Sequence, residues 1–225
     1  FVSDQAHAPA PRPAFRLIPS RFPPIGLFDT VATAADLDAV MDLAGWTNDR
    51  LVAERIARLP AEERVYGRPN ASIVMASFLH VAPGGMRFNG PDLGAWYAAE
   101  HLTTAVAEVA HHLRREAAAT GAASLSRQYR VYTSRLEGRY LDIRGQRAAR
   151  PDVYASDDEA AGQGRGEAGR ASGGAGILFD SLRHAGGINV VAHRPRNVQD
   201  VTQGDHYELT VSAASRRIEA RKLAA

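Results

Sequence analysis

The sequence predicts an α+β fold, a single domain built around one central mixed sheet. Three observations predict it. Apolar stretches of strand length recur from residue 14 to residue 211 between glycine-rich or polar turns. Segments near 33–44 and 103–119 carry apolar residues at helical spacing, and no internal repeat is visible. A chain of 225 residues is within reach of one hydrophobic core, and 45% hydrophobic with 23% charged residues is an ordinary globular composition.

Residues 1–13 mix alanine, proline and polar residues without periodicity and read as a mobile arm, which leaves 14–225 as the domain. Residues 14–18 form the first strand. Thr33 with Asp36 three positions on is a helix-start pattern, after which Leu37, Val40, Met41 and Ala44 share one face. A second helix starts near Thr47-Asn48-Asp49, turns Leu51, Val52, Ile56 and Leu59 inward and stops before Pro60. Residues 70–81 are apolar but too short for their pattern to separate helix from strand. The Asn70-Ala71-Ser72 sequon inside them has no secretory signal to give it meaning.

Residues 96–98 read as a strand leading into a helix capped by Thr103 or Thr104, which carries Val106, Val109, Ala110 and Leu113 toward Ala119. Tyr129, Val131 and Thr133 alternate, and residues 140–143 follow Glu137-Gly138, so a pair of strands is expected. Residues 162–176, rich in glycine, alanine and arginine, read as a flexible loop or frayed helix. They do not make a phosphate loop, because no Gly-Lys-Ser/Thr ending is present. Residues 177–179, 188–192 and 207–211 are further strands, and the last residues form a basic, helix-like tail.

Composition removes several function classes. Without cysteine there are no disulfides, thiolate metal sites or cysteine nucleophiles, and a reducing compartment such as the cytoplasm costs the fold nothing. The 27 basic and 25 acidic residues nearly cancel, so no strong field draws the chain to nucleic acid or an anionic membrane. Nor is there an aromatic-rich RNA motif, which with the near-neutral charge argues against the remaining alternative, a non-catalytic module that binds RNA or a partner through its arginines. No apolar run approaches the roughly 20 residues of a membrane span. The start at Phe1 has neither a basic n-region nor a signal-like core.

The candidate chemistry lies in the run from Arg87 to Tyr97, with Glu108 eleven residues further on. An arginine in a glycine-bounded turn can offer a bidentate fork to phosphate. Tyr97 can stack on a ring, and a carboxylate on the apolar face of a helix calls for a partner. Glu108 with His111 and His112 has metal-ligand spacing on a helix. The chain repeats no such motif and has no His-Glu-x-x-His, so no metal is expected.

In order along the chain, these pieces resemble the RES-domain family, toxins of bacterial toxin–antitoxin modules named for an arginine, a glutamate and a serine. The matching residues are Arg16 in Phe15-Arg16-Leu17, Arg87 in Arg87-Phe88-Asn89-Gly90, Tyr97, Glu108, and Ser181 in Asp180-Ser181-Leu182-Arg183. Gly186-Gly187-Ile188-Asn189 and His193-Arg194-Pro195 continue the match. Family members often carry tryptophan where this chain has Phe88, and Gly84-Gly85 sits one residue further from Arg87 than usual. Ser20-Arg21-Phe22-Pro23-Pro24 and Thr47-Asn48-Asp49-Arg50 resemble the branch that ADP-ribosylates a protein target.

The resemblance implies a fold like the diphtheria-toxin-type ADP-ribosyltransferases, with NAD consumed as substrate. It implies Glu108 as the carboxylate that stabilises a cationic ribose. Arg87 and Arg16, or Arg21 in place of Arg16, would hold the pyrophosphate, with Asn89 also on the NAD side. Tyr97 would stack near the nicotinamide, and Ser181 would bond the ribose or orient Glu108. A side chain, inorganic phosphate or water can each accept ADP-ribose, and the N-terminal match favours a protein acceptor. A cognate antitoxin is implied as partner, expected to cover the cleft near Arg16, Arg87 and Glu108.

Overall fold

The computed structural model describes residues 6–20, 28–33, 36, 55–155 and 158–224. Its strands in chain order are β1 (His7–Pro9), β2 (Ala14–Pro19), β3 (Trp96–Ala99), β4 (Ser124–Leu136), β5 (Arg139–Asp142), β6 (Gly176–Asp180), β7 (Ile188–Ala192), β8 (Val198–Ser212) and β9 (Ile218–Lys222). They join one sheet in the order β1-β5-β6-β7-β3-β2-β4-β8-β9. The β5–β6 pair is parallel and the other neighbours are antiparallel, so the sheet is mixed and the fold is α+β.

Central strands β6 and β7 are covered on both faces, which is why Ile177-Leu178-Phe179 and Val190-Val191-Ala192 read as unbroken apolar runs. Helix α1 (Ala71–Leu79) contributes Val74, Met75 and Phe78 to a core with Trp96, Ala98, Leu178 and Val190. Phe88, Ile177, Phe179 and Val191 form a second cluster. Helix α2 (Leu102–Ala119) lays Ala105 over a third, with Leu17, Ala99, Tyr129 and Val131.

The sheet is narrowest in pairing at its middle. β2 runs beside β4 for six residue pairs and β3 beside β7 for four, yet β2 and β3 share only Phe15 with Ala99. The Arg16 side chain straps this seam: Nη1 donates to the Tyr97 carbonyl at 2.9 Å, and the guanidinium lies 4.8 Å from the centre of the Trp96 ring.

Several expectations change. The arm over 1–13 is not unpaired throughout, because His7–Pro9 forms an edge strand against Arg139–Leu141. The tail is not helical: Ile218, Ala220 and Lys222 alternate against Val211, Leu209 and Tyr207, extending the β4–β8 ribbon by one strand. The open segment at 70–81 is α1, entered through Asn70 in the left-handed region. Helix α2 begins at Leu102, and Thr104 does not cap it but sits buried, with Oγ1 2.8 Å from His184 Nδ1.

The glycine-rich segment holds helix α3 (Ala160–Ala171), where two glycines serve close packing. A Cβ on Gly162 would lie 2.3 Å from the Arg87 carbonyl oxygen, and one on Gly166 1.9 Å from that of Phe88. The glycines that weaken the helix signal therefore let α3 approach the Arg87-Phe88 backbone.

Thr33 and Asp36 bond reciprocally, Thr33 N–H to Asp36 Oδ2 and Asp36 N–H to Thr33 Oγ1, as the capping pattern predicts. Leu37, Val40, Met41, Ala44, Leu51, Val52, Arg21 to Pro24 and Thr47 to Arg50 lie outside the described residues. Residues 55–58 are helical, and Ile56 and Leu59 are buried. Among the described residues no helix is long and apolar enough to cross a membrane.

Candidate active site

Arg87 and Phe88 form the tip of a two-residue turn. Met86 N–H donates to the Asn89 carbonyl at 2.8 Å and Asn89 N–H to the Met86 carbonyl at 3.2 Å. Gly85 precedes it at φ +76°, and a Cβ there would sit 2.4 Å from the Asn89 oxygen. Tyr97 reaches this turn from β3: its hydroxyl accepts from Phe88 N–H at 3.0 Å and donates to Asn89 Oδ1 at 2.9 Å. Burial raises the phenol well above its ordinary pKa, so it remains a neutral donor.

Asn89 is fully buried, and its amide nitrogen donates to the Gly90 carbonyl at 2.8 Å. Expected on the ligand side, it instead lies beneath the turn as the partner of Tyr97. Phe88 is also buried, packed edge-on to Phe179 at 4.8 Å between ring centres. Arg87 Nη1 donates to the carbonyls of Val153 at 3.1 Å and Ala155 at 2.7 Å.

Glu108 projects from the middle of α2, and its Oε1 accepts two hydrogen bonds of 2.7 Å. One comes from Ser181 Oγ and the other from Asn189 Nδ2 on β7. Ser181 Oγ in turn accepts from the N–H groups of Arg183 at 3.1 Å and His184 at 3.0 Å. The hydroxyl has one proton to give, and Glu108 receives it. Ser181 N–H to Gly187 carbonyl, at 2.8 Å, closes the loop. Oε2 of Glu108 has no hydrogen-bond partner among the described residues.

These groups border a cleft of about 450 Å³, lined by Arg16, Arg87, Tyr97, Glu108, Arg115 and Arg183, with His111, His112 and Glu159 also on its wall. Arg16, Arg87, Tyr97 and Glu108 thus meet in one cleft, while Ser181 lies behind Glu108. Burial brings the Arg16 guanidinium down to about 10, which leaves it charged at neutral pH. Burial first, then the charges of Arg183 and neighbouring basic groups, takes His111 to about 4, so its imidazole is neutral there. Although His111 and His112 share the wall with Glu108, no group of three metal-ligating side chains assembles among the described residues.

Sequence reasoning assigned no role to Arg115, Arg183, Glu159 or Asn189. Arg115 was open to discovery, because it stands seven residues beyond Glu108 and helical spacing puts both on one face. Asn189 entered only as the end of the Gly186-Gly187-Ile188-Asn189 match with no role attached, and its bond to Glu108 arises because β7 pairs with β3, the strand that leads into α2.

A family model described as the RES domain matches residues 55–212. "Uncharacterized protein y4oC" of Sinorhizobium fredii (strain NBRC 101917 / NGR234) is 28% identical over 131 residues, 58% of this chain and 56% of that protein. The chain therefore spans about half the length of the curated relative it matches. Among solved structures, the M. tuberculosis MbcT-MbcA toxin-antitoxin complex is similar over 93% of this chain and 89% of that chain, with a TM-score of 0.47 and 16% identity.

Proposed function

This chain belongs to the RES-domain family, and on that premise we propose that it is a toxin that cleaves the nicotinamide–ribose bond of NAD and transfers ADP-ribose to a protein side chain. The observation that carries this reading is the Glu108 carboxylate, oriented at one oxygen by Ser181 and Asn189 on the wall of an arginine-lined cleft. Departure of nicotinamide leaves positive charge on the ribose. In the substrate that charge sits on the nicotinamide ring, so a carboxylate already oriented at the ribose stabilises the oxocarbenium-like transition state more than the ground state.

The arginines supply the complementary half. Arg87, with Nη1 committed to two carbonyls, keeps its remaining N–H groups for a pyrophosphate oxygen, and Arg16 acts beside it. Tyr97 contributes its ring to the cleft and its hydroxyl to the turn that carries Arg87. Ser181 acts through Glu108, since its hydroxyl proton is already given to the carboxylate. The proposed partner is a cognate antitoxin that lays a carboxylate-bearing segment over these arginines and competes with NAD.

Incubation with adenylate-labelled NAD, with and without cell extract, tests the reading by following nicotinamide release together with labelled protein. Transfer predicts both. Nicotinamide without labelled protein would move the assignment to glycohydrolase or phosphorylase, which phosphate dependence separates, and folded protein that releases none sinks the enzyme assignment.

A further inference from the structure

The cleft arginines fall into two kinds. Arg16 and Arg87 each give Nη1 to main-chain carbonyls, Arg16 to Tyr97 and Arg87 to Val153 and Ala155. The side chains of Arg115 and Arg183 make no hydrogen bond or ion pair among the described residues, yet both line the same cleft. Their positions are set by the elements that set Glu108. Arg183 N–H donates to Ser181 Oγ, so the turn that presents a hydroxyl to Glu108 also delivers the Arg183 side chain beside it. Arg115 follows Glu108 by seven residues on α2, two helical turns or about 10 Å along the axis.

This corner has excess positive charge. Burial is the main cost on the Arg183 charge; Glu108 opposes that cost as the nearby carboxylate, and the charges of Arg87, Arg115 and Arg147 add to it. Glu108 already receives two neutral hydrogen bonds, and no ion pair joins it to Arg183 among the described residues. A half-buried guanidinium among like charges is relieved by an anion, its fork of N–H donors pairs bidentately with an oxyanion, and two such guanidiniums on one wall match the greater charge of a phosphate.

The structure assigns Arg183, together with Arg115, as a phosphate-binding subsite beside Glu108, distinct from the braced arginines Arg16 and Arg87. The phosphate is either the one phosphate of a bound dinucleotide's diphosphate that Arg16 and Arg87 leave free, or free inorganic phosphate. The first source rests on the NAD reading; the oxyanion chemistry does not.

Calorimetric titration with ADP, adenosine and inorganic phosphate tests the subsite independently of turnover. Wild-type protein should bind ADP well above adenosine. Arg183→Gln and Arg115→Gln should each lose about tenfold to a hundredfold in ADP affinity, the scale of a charge-assisted contact, with adenosine unchanged. Arg183→Lys should fall between, because an ammonium keeps the charge and loses the fork. If the glutamine variants lose inorganic phosphate and keep ADP, the subsite stands and its ligand is free phosphate.

Unchanged affinity for both phosphate ligands in Arg183→Gln and Arg115→Gln overturns the assignment, as does a wild-type protein that prefers neither ADP nor phosphate. Should Arg183→Gln fail to fold, Arg183→Lys and Arg115→Gln carry the same comparison. Failure of the NAD reading is seen separately, as absence of nicotinamide release from wild type.

Discussion

Ser181 Oγ and Glu108 Oε1 meet at 2.7 Å although one follows β6 and the other lies in the middle of α2. The same hydroxyl accepts the N–H groups of two residues in its own loop, so loop conformation and carboxylate orientation depend on one side chain. A threonine could satisfy these bonds in kind, whereas alanine abolishes all three.

Glu108→Gln should keep the fold and lower nicotinamide release by about two to three powers of ten, the scale on which one electrostatic stabiliser acts. Melting temperature and single-turnover release are the paired measurements. If activity merely follows the folded fraction, Glu108 has no special part in the chemistry.

Ser181→Ala should reduce both turnover and stability, because Arg183 and His184 lose an acceptor; the stability loss should be about 1–3 kcal/mol. Asn189→Ala should reduce turnover alone or nearly so. In a Glu108→Gln background either change should add little further loss of turnover, since residues acting through one group are not additive.

Gly166→Ala should destabilise by about 1–3 kcal/mol, because its Cβ would meet the Phe88 carbonyl oxygen at 1.9 Å and must push α3 away. Gly164 supplies the control. Nothing lies within 4 Å of a Cβ there, so Gly164→Ala should gain up to about 1 kcal/mol from helix propensity. Equal effects in thermal melts would contradict the packing seen at Gly166.

Stability should decline as pH falls below 6.5. His193 is buried, and burial followed by the charge of Arg170 takes its pKa from 6.5 to about 3. The unfolded chain therefore takes up a proton that the folded chain refuses, and stability complete above pH 6.5 is lost progressively toward pH 3. His111, at about 4, adds in the same direction. Melting temperatures from pH 7 to 4 should fall less steeply in His193→Asn than in wild type; identical slopes would exclude His193 as a contributor.

The sheet was legible where burial on both faces wrote continuous apolar runs, as at Ile177 to Phe179 and Val190 to Ala192, or where alternation was plain, as at Tyr129 to Thr133. Helix α2 announced itself through Ala110 and Leu113. Helix α3 was legible only as one of two readings, loop or frayed helix, because Gly162 and Gly166 answer to tertiary contact at the expense of local propensity. His7–Pro9 and Ile218–Lys222 are edge strands whose exposed residues carry little apolar signal. At the site, the family resemblance brought Arg16, Arg87, Tyr97 and Glu108 together. It could not foresee that Asn89 would be buried under Tyr97, since that depends on how a turn packs against a strand 8 residues away.

The junction of β2 with β3 gives the sheet a mechanical weak line. With Phe15 and Ala99 as its single paired rung, the sheet resembles two plates riveted once, one of β1-β5-β6-β7-β3 and the other of β2-β4-β8-β9. Arg16 braces the joint, and the cleft opens beside it. Amide protons along this line should exchange with solvent sooner than those of the β4–β8 ribbon, because local opening there breaks fewer bonds. A ligand touching both Arg16 and Glu108 would act as a second rivet, slowing that exchange without touching the amides themselves.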